Sequence, residues 1–181
     1  MGANLPGSAG PPDATLAAAV VRLEALGRVS ARSSLYSTAP IGYADQPRFF
    51  NAAAALETEL TPFELLGALL IIEKDFGRDR VSGFQNGPRT LDLDILLYGD
   101  YVVGGATLEI PHPRLAERAF VLVPLNEIAP EALEPRTART VSQLLRSFVP
   151  VPGNEIKAVV QIKSDYWRAH DGADSINDPE P

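Results

Sequence analysis

The sequence contains no cysteine, which excludes disulfide bonds and thiolate metal sites. Histidine is nearly as scarce: His112 and His170 are the only two, so a histidine-rich zinc site is also disfavoured. A chain without thiols fits the reducing conditions of the cytoplasm. We therefore expect a cytoplasmic protein without a thiolate or histidine-rich metal centre.

Long apolar runs and an excess of positive charge are also missing. No apolar run approaches the roughly 20 residues that cross a bilayer, and no basic-then-apolar signal peptide opens the chain. The 16 Lys and Arg residues against 23 Asp and Glu residues give a formal net charge of -7 at pH 7. We expect neither nucleic acid nor a membrane as a partner, and an anionic substrate would need a local basic cluster or metal ions.

The composition that remains is typical of one globular domain with a short appendage: 181 residues, 45% hydrophobic and 22% charged. Amphipathic periodicity and capping residues predict helices over about 14–26, from the Thr61-Pro62-Phe63-Glu64 capping box to about 77, and from Thr140 to 148. Alternation and apolar content predict strands over about 29–37, 49–60, 87–99, 120–125 and 156–162. Helices that alternate with pairs of strands predict a two-layer α+β domain of sheet and helices.

The most informative stretch is 87–99, which we call the aspartate segment. On a strand, Asp92 and Asp94 share one face while the apolar residues between and beyond them point to the other. Two residues of strand rise place their Cα atoms roughly 6.5–7 Å apart. Carboxylates at this spacing can hold two hard cations about 3.5–4 Å apart. Alternating Asp and Leu is also typical of a half-solvated edge strand, but the buried run that follows favours cationic partners for the carboxylates.

Three arginines precede this pair of carboxylates: Arg78, Arg80 and Arg89. Arginine suits phosphate because its planar fork binds two oxygens at once and stays charged. Glycine and serine in Val81-Ser82-Gly83 make the loop over 77–87, here the arginine loop, flexible enough to close over a substrate. A solvated charged loop is the alternative interpretation of the same residues.

Residues 87–96, Gly-Pro-Arg-Thr-Leu-Asp-Leu-Asp-Ile-Leu, resemble the signature of the 6-hydroxymethyl-7,8-dihydropterin pyrophosphokinase family. The likeness covers about residues 2–148 in colinear order. It extends to Gly2-Ala3-Asn4-Leu5, Tyr36-Ser37-Thr38, Asp45-Gln46-Pro47, Phe49-Phe50-Asn51-Ala52, Ile110-Pro111-His112-Pro113 and Pro124-Leu125-Asn126-Glu127-Ile128-Ala129-Pro130.

The resemblance implies transfer of the β,γ-pyrophosphoryl unit of ATP to the pterin hydroxymethyl group, with release of AMP, in folate biosynthesis. It implies a ferredoxin-like two-layer sandwich with extra helices, two magnesium ions, ATP as co-substrate and a monomer that binds both small molecules in one cleft. The family domain would cover 1–150. The resemblance implies nothing about the C-terminal extension, 151–181. We expect this extension to contain an extra strand followed by a disordered acidic tail.

The same resemblance implies roles for twelve residues. Asp92 and Asp94 would ligate the two magnesium ions. Arg80 and Arg89 would be catalytic with them, stabilising charge on the transferring group. The nucleotide would be bound by Arg78, His112 and Arg118. The pterin pocket would be formed by Thr38, Ile41, Phe49, Asn51 and Phe120, with the two rings stacked on the heterocycle.

The sequence departs from the family pattern at three places. Gln85 and Asn86 stand where Arg-Trp is frequent, which affects one nucleotide contact and part of the loop, and Phe49 stands where tyrosine is common. A short apolar strand precedes Gly-Ala-Asn-Leu in the family, whereas Met1 here occupies its last position. We therefore expect a truncated first strand and a natural start about half a dozen residues earlier, which the intact mass of the native protein would decide.

Two other classes fit parts of the pattern. A glycosyltransferase could use Asp-x-Asp with a metal-bound sugar nucleotide, but such enzymes need a larger nucleotide-binding sheet. A non-catalytic binding module could keep the fold, although the intact Arg89, Asp92 and Asp94 argue against loss of activity. Release of AMP from ATP, magnesium and the pterin would separate these classes.

Overall fold

Residues 1–80 and 86–168 are described by a computed structural model, and they form helices and antiparallel sheets. The helices are α1 (Pro12–Glu24), α2 (Pro62–Asp75), α3 (Ala119–Ile128), α4 (Val141–Arg146) and α5 (Asp165–Arg168). The strands are β1 (Gly2–Ala3), β2 (Arg28–Arg32), β3 (Leu35–Thr38), β4 (Phe49–Asn51), β5 (Ala54–Glu57), β6 (Leu133–Glu134), β7 (Arg139–Thr140) and β8 (Val160–Ile162). Two short 3-10 turns cover Leu115–Glu117 and Ile156–Ala158. The α+β class predicted from the sequence is confirmed.

The main sheet has four strands in the order β1-β4-β3-β8, all antiparallel. Asn51 lies at its centre, because it is in register with Gly2 on one side and with Tyr36 on the other. The strands β2 and β5 form a separate antiparallel pair, and β6 pairs with β7. Strand β4 thus lies between β1 and β3, and these three strands form the part of the sheet on which the candidate site is built.

The predicted helix starts at Thr61 and Thr140 are confirmed by their capping boxes. Thr61 accepts a hydrogen bond from the backbone of Glu64 while the Glu64 carboxylate accepts one from the Thr61 backbone. Thr140 and Gln143 make the same reciprocal pair at the start of α4. Such boxes satisfy N–H groups that have no partner within the helix, and they depend only on residues three apart.

The core consists of two clusters of apolar side chains. The larger one joins α1, β3, α2 and the aspartate segment, and its largest fully buried side chains are Leu16, Leu35, Leu91 and Ile110. The smaller one joins α3 and α4 through Leu122, Val141 and Leu144. No helix in the described ranges has the length and hydropathy that a membrane span requires.

The predicted strands over 29–37 and 49–60 are each divided in two, between β2 and β3 and between β4 and β5. Both breaks occur where Ser33 meets Ala53. The backbone N–H of Ser33 donates to the Ala53 carbonyl at 2.9 Å, but the Ala53 N–H donates to the Ser33 hydroxyl instead of a carbonyl. The side chain replaces one backbone acceptor, so the ladder stops and the chain passes from one sheet to the other.

The prediction that the aspartate segment is a β-strand is wrong. Gly2 and Asp92 exchange two backbone hydrogen bonds of 2.9 and 2.8 Å, and within the described residues this isolated bridge is the segment's only strand-type pairing. Beyond it, residues 93–98 border an apolar groove of about 570 Å³ together with β5 and α2. A strand requires a partner, and β1 has two residues, so the ladder ends there. The predicted alternation of faces still holds, with Leu91, Leu93 and Ile95 buried.

The predicted strand over 120–125 is also wrong, because these residues lie within helix α3. The buried side chains of α3 include Ala119, Leu122 and Leu125, which recur every three residues as on one face of a helix. A short apolar run does not by itself distinguish a strand from a buried helix, and Pro124 made a helix less expected.

The C-terminal extension packs against the rest of the protein through a strand and a buried tryptophan. Of the predicted strand 156–162, the last three residues form β8, which pairs with β3, and the first three form a 3-10 turn. Trp167 lies in the larger core cluster, and its indole N–H donates to the Ser33 carbonyl at 3.0 Å. The guanidinium of Arg32 lies 4.8 Å from the centre of that ring. Residues 169–181, which contain His170 and the predicted disordered tail, lie outside the described residues.

We expect Trp167→Ala to lower the free energy of unfolding by about 3–5 kcal/mol, because it removes a buried aromatic ring and leaves a cavity. Urea denaturation followed by circular dichroism would measure the change. Tyr166→Ala is the matched control, since Tyr166 is 54% exposed and should change the same quantity by less than about 0.5 kcal/mol. A cost below about 1 kcal/mol for Trp167→Ala would contradict the packing of the extension into the core.

Candidate active site

A cavity of about 430 Å³ opens where β1, β3, β4 and the aspartate segment meet the start of α3. All twelve residues to which the sequence resemblance assigns a role line this one cavity. The lining also includes residues that the sequence analysis did not select, among them Ala39, Asn86 and Arg114. The twelve residues, which are up to 82 positions apart in the sequence, from Thr38 to Phe120, are thus brought to one place.

The two aspartates of the cavity differ in their surroundings. Asp92 is flanked by two arginines, with one carboxylate oxygen 3.4 Å from Arg78 and the other 3.3 Å from Arg89. Asp94 is exposed, and within the described ranges its carboxylate has no hydrogen bond or ion pair. One carboxylate is therefore held in place by cations, while the other has its oxygens available for a ligand.

Glu73, in the last turn of α2, holds the backbone of the aspartate segment in place, a role that was not predicted from the sequence. Its side chain is 1% exposed, and one carboxylate oxygen accepts the backbone N–H of Leu93 at 2.8 Å. The other oxygen accepts from Nε of Arg80 at 2.9 Å and pairs with the same guanidinium a second time. Leu93 lies between the two aspartates, so this contact fixes the backbone that carries them.

Burial raises the pKa of Glu73, and the hydrogen bonds from Leu93 and Arg80 oppose that shift. For Arg80, burial acts to lower the pKa, but the hydrogen bond and the charge of Glu73 outweigh it, so the pKa of Arg80 is raised. A signal for Glu73 does exist in the sequence. It lies four residues after the buried Leu69 on the apolar face of a helix, where a carboxylate requires a partner.

Arg89 is held by the turn that follows β1. Its backbone N–H donates to the side chain of Asn4 at 2.7 Å, and its carbonyl accepts the Asn4 N–H at 3.0 Å. The guanidinium carbon lies 4.9 Å from the centre of the Phe49 ring, within the range of a cation–π contact. The Arg89 Nε is buried and has no acceptor among the described residues. An anionic oxygen would satisfy this donor.

Positive charge is concentrated on the side of the cavity formed by residues 112–118. Burial lowers the pKa of Arg118, and the neighbouring charge of Arg114 acts in the same direction. Burial also lowers the pKa of Arg78, although the charge of Asp92 opposes it. Guanidinium groups remain charged at any physiological pH, so the crowding of these groups favours the binding of an anion between them.

His112 has a defined orientation. Its backbone N–H donates to the Leu96 carbonyl at 2.9 Å, and its Nδ1 accepts the backbone N–H of Arg114 at 3.0 Å. With Nδ1 as an acceptor, the proton of the neutral ring is on Nε2, which is then a donor. Burial lowers the pKa of His112; the charge of Asp94 opposes this shift and that of Arg118 adds to it.

The opposite end of the cavity is apolar with a few amide and hydroxyl groups. Asn51 is buried and donates from Nδ2 to the hydroxyl of Thr38 at 2.8 Å, which fixes the orientation of its amide. Gly2 lies so close that a Cβ there would be 2.9 Å from the Asn51 side-chain oxygen. The rings of Phe49 and Phe120 both line the cavity, each beside an arginine, and Arg118 lies 5.6 Å from the Phe120 ring centre.

Part of the arginine loop, 81–85, lies outside the described residues. The predicted flexible stretch Val81-Ser82-Gly83 and the departure at Gln85 fall there. Asn86, which follows, lines the cavity, and its carbonyl accepts a hydrogen bond from Gln46 at 2.8 Å.

Together the fold and the cavity define a small α+β protein whose site suits a ligand with several phosphates and a flat ring. Arginines surround one part of the site with two carboxylates among them, whereas an amide and two aromatic rings form the other. This division of charge is the arrangement expected of a transferase that binds a nucleotide beside a heterocycle.

Comparisons with known proteins identify the family. The model of the 7,8-dihydro-6-hydroxymethylpterin-pyrophosphokinase (HPPK) family matches residues 1–130. The 2-amino-4-hydroxy-6-hydroxymethyldihydropteridine pyrophosphokinase of Synechocystis is 43% identical over 144 residues, which are 78% of this chain and 72% of that protein. The Pseudomonas aeruginosa protein of the same name is 51% identical over 104 residues, 58% of this chain and 63% of that protein. The Bacillus subtilis one is 42% identical over 127 residues, 70% of this chain and 75% of that protein.

The chain therefore belongs to the 7,8-dihydro-6-hydroxymethylpterin-pyrophosphokinase family, as its sequence predicts. It is a pyrophosphoryl transferase of folate biosynthesis that uses ATP as its co-substrate.

We expect His112 in the ligand-free protein to titrate below its ordinary pKa of 6.5, because burial disfavours the imidazolium. Because the folded protein binds this proton less readily than the unfolded chain, protonation of His112 favours unfolding. The stability present above pH 6.5 is therefore lost as the pH falls through the lowered pKa of the folded state. An NMR titration of the two histidine Cε1–H signals would measure it, with His112→Gln to assign them. A midpoint at or above 6.5 for His112 would contradict the buried orientation.

Proposed function

We propose that the cavity is the active site at which this chain transfers the β,γ-pyrophosphoryl unit of ATP to the hydroxymethyl group of 6-hydroxymethyl-7,8-dihydropterin. The hydroxyl oxygen forms a bond to the β-phosphorus, and the bond from that phosphorus to the bridging oxygen of the α-phosphate breaks. AMP leaves with that oxygen, and the hydroxyl proton passes to solvent. The observation that carries the proposal is the convergence of the twelve residues on one cavity.

Two magnesium ions fit the donors that Asp92 and Asp94 offer. Among the described residues no group of three His, Cys, Asp or Glu side chains could form a complete metal cage. Magnesium is commonly bound by one or two carboxylates together with substrate phosphates and water, which matches a pair of aspartates. When bound, the ions would supply charge neutralisation on the triphosphate. The carboxylate of Asp94, which has no partner among residues 1–80 and 86–168, supports this assignment.

Arg80 and Arg89 stabilise negative charge on the transferring group. Phosphoryl transfer needs alignment and charge neutralisation more than covalent chemistry from the protein, and fixed cations supply both. Arg80 is oriented by Glu73, and Arg89 is oriented by Asn4 at its backbone and by Phe49 at its guanidinium. The buried Nε of Arg89 supports an anionic oxygen as its partner.

The rest of the nucleotide is bound by Arg78, Arg118 and His112. Both arginines are partly buried, so their contacts with phosphate are less weakened by water than those of surface side chains. His112 contributes a donor from Nε2 because its Nδ1 is already an acceptor. Burial lowers the pKa of His112 in the ligand-free protein, which favours the neutral ring, and we propose that this ring acts as a hydrogen-bond donor.

The pterin is bound between the rings of Phe49 and Phe120, with Thr38, Ile41 and Asn51 at its edge. Stacking on aromatic rings suits a flat heterocycle, and the paired donor and acceptor of an amide match an amide edge. The hydrogen bond from Asn51 to Thr38 supports this role because it leaves the Asn51 oxygen and one N–H for a ligand.

We extend the proposal to the finer features of the protein. The α+β fold is a ferredoxin-like sandwich with extra helices, in which the sheet carries the site. We propose that the protein acts as a monomer on two small molecules, ATP and the pterin. Its expected location is the cytoplasm, where ATP and magnesium are supplied, and nucleic acid is not a partner because the net charge is -7.

We expect Asp94→Ala to lower AMP formation by roughly 100-fold or more, because the variant loses a carboxylate that holds magnesium. A coupled assay with ATP, magnesium and the hydroxymethyl pterin would measure it, and circular dichroism would check the fold. Asp100→Ala is the matched control, since Asp100 is exposed in the turn that follows and is outside the cavity. Activity of Asp94→Ala within about threefold of the parent would exclude the metal role.

We expect Asn51→Ala to raise the KM for the pterin by roughly 10- to 100-fold while the KM for ATP changes by less than about threefold, because a buried hydrogen bond to the heterocycle is lost. Initial rates with each substrate varied in turn would separate the two constants. Asn126→Ala, in α3 and outside the cavity, should leave both unchanged. Equal increases in the two KM values would show that Asn51 does not bind the pterin specifically.

A further inference from the structure

The C-terminal extension lies close to the start of α3, next to residues that also line the cavity. After α4 the chain turns back, and the side chain of Asn154 enters the protein, where the residue is 8% exposed. The residues on either side of it, Gly153 and Glu155, are less buried. A small gap lined by Gly153–Glu155, Ala158 and Val159 separates this part of the extension from Thr38, Ala39 and Phe120.

Asn154 makes two hydrogen bonds that bracket Arg118. Its Nδ2 donates to the carbonyl of Glu117 at 2.6 Å, and its Oδ1 accepts the backbone N–H of Ala119 at 2.9 Å. One amide thus binds the residue before Arg118 and the residue after it. The two contacts use both kinds of group that an asparagine side chain offers.

The bracketed residue, Arg118, connects a 3-10 turn to α3. The 3-10 turn ends at Glu117, α3 begins at Ala119, and Arg118 between them has an extended backbone with φ -123° and ψ 110°. The first N–H of a helix has no partner within the helix, and Arg118 does not cap α3 with its own side chain. Asn154 supplies that cap from 35 residues away.

Other contacts dock the extension independently of Asn154. Strand β8 pairs with β3, and Trp167 packs into the core with a hydrogen bond to Ser33. Loss of the Asn154 amide would therefore leave the extension in place and release only the backbone around Arg118. The role of Asn154 can be measured separately from the docking of the extension.

We propose that Asn154 is a positioning residue, which sets the direction in which Arg118 and Phe120 enter the cavity. The inference rests on the proposed function, in which Arg118 binds the nucleotide and Phe120 stacks on the pterin. It extends the site to a part of the chain beyond residue 130, where the match to the family model ends. The extension then contributes to substrate binding although no side chain of its described part, 151–168, lines the cavity.

The test compares Asn154→Ala, Asn154→Asp and the control Lys157→Ala, an exposed residue of the same segment. For Asn154→Ala we expect the KM values for ATP and pterin to rise about 10-fold with kcat within about twofold, since hydrogen bonds that orient two binding residues are lost. Asn154→Asp keeps the acceptor for Ala119 and loses the donor to Glu117, so its KM values should be intermediate. Lys157→Ala should match the parent.

Trp167 is the only tryptophan, so its fluorescence reports whether the extension remains docked in each variant. Unchanged emission with raised KM values supports the proposal. Unchanged KM values in both Asn154 variants would overturn it, as would a lower kcat with unchanged KM, which indicates only a loss of folded enzyme. If emission also changes, Trp167→Ala decides: equal KM increases there would assign the effect to docking of the whole extension. A parent that releases no AMP would overturn the proposed function instead.

Discussion

The buried carboxylate of Glu73 is the contact on which the geometry of the cavity most depends. Its two oxygens accept hydrogen bonds from the N–H of Leu93 and the guanidinium of Arg80. One side chain therefore fixes the positions of both the aspartate segment and Arg80. The backbone ladder ends at Asp92, and the Glu73 carboxylate accepts the N–H of the next residue, Leu93. A buried carboxylate is costly unless it is paired, which couples this part of the cavity to the last turn of α2.

Local concentration of charge explains how an acidic protein can bind an anion. The net charge is -7, yet five arginines line a single cavity of about 430 Å³. Carboxylates hold three of the five in place: Asp92 pairs with Arg78 and Arg89, and Glu73 pairs with Arg80. The arrangement is therefore built before a ligand arrives, and an anion that enters meets cations that are already oriented.

How much could be predicted from the sequence depended on the distance between interacting residues. The starts of α2 and α4 were predicted because a capping box joins residues three apart. The aspartate segment was wrongly predicted as a strand, since a strand exists only with a partner, and α3 was missed because a short apolar run is compatible with both structures. Glu73 and Asn154 were not identified because their partners lie 20 and 35 residues away.

The sequence by itself determined the family, and it predicted the twelve residues to which we assign the proposed chemistry, because family motifs preserve residue types and their order along the chain. It also determined the alternation that buries Leu91 and Leu93 and leaves the aspartates on the other face. Only the tertiary structure decided that these residues share one cavity and that Glu73 and Asn154 support it from behind. The physical reason is that a buried polar group is stable only when its hydrogen bonds are satisfied, and the partner that satisfies them is found by folding.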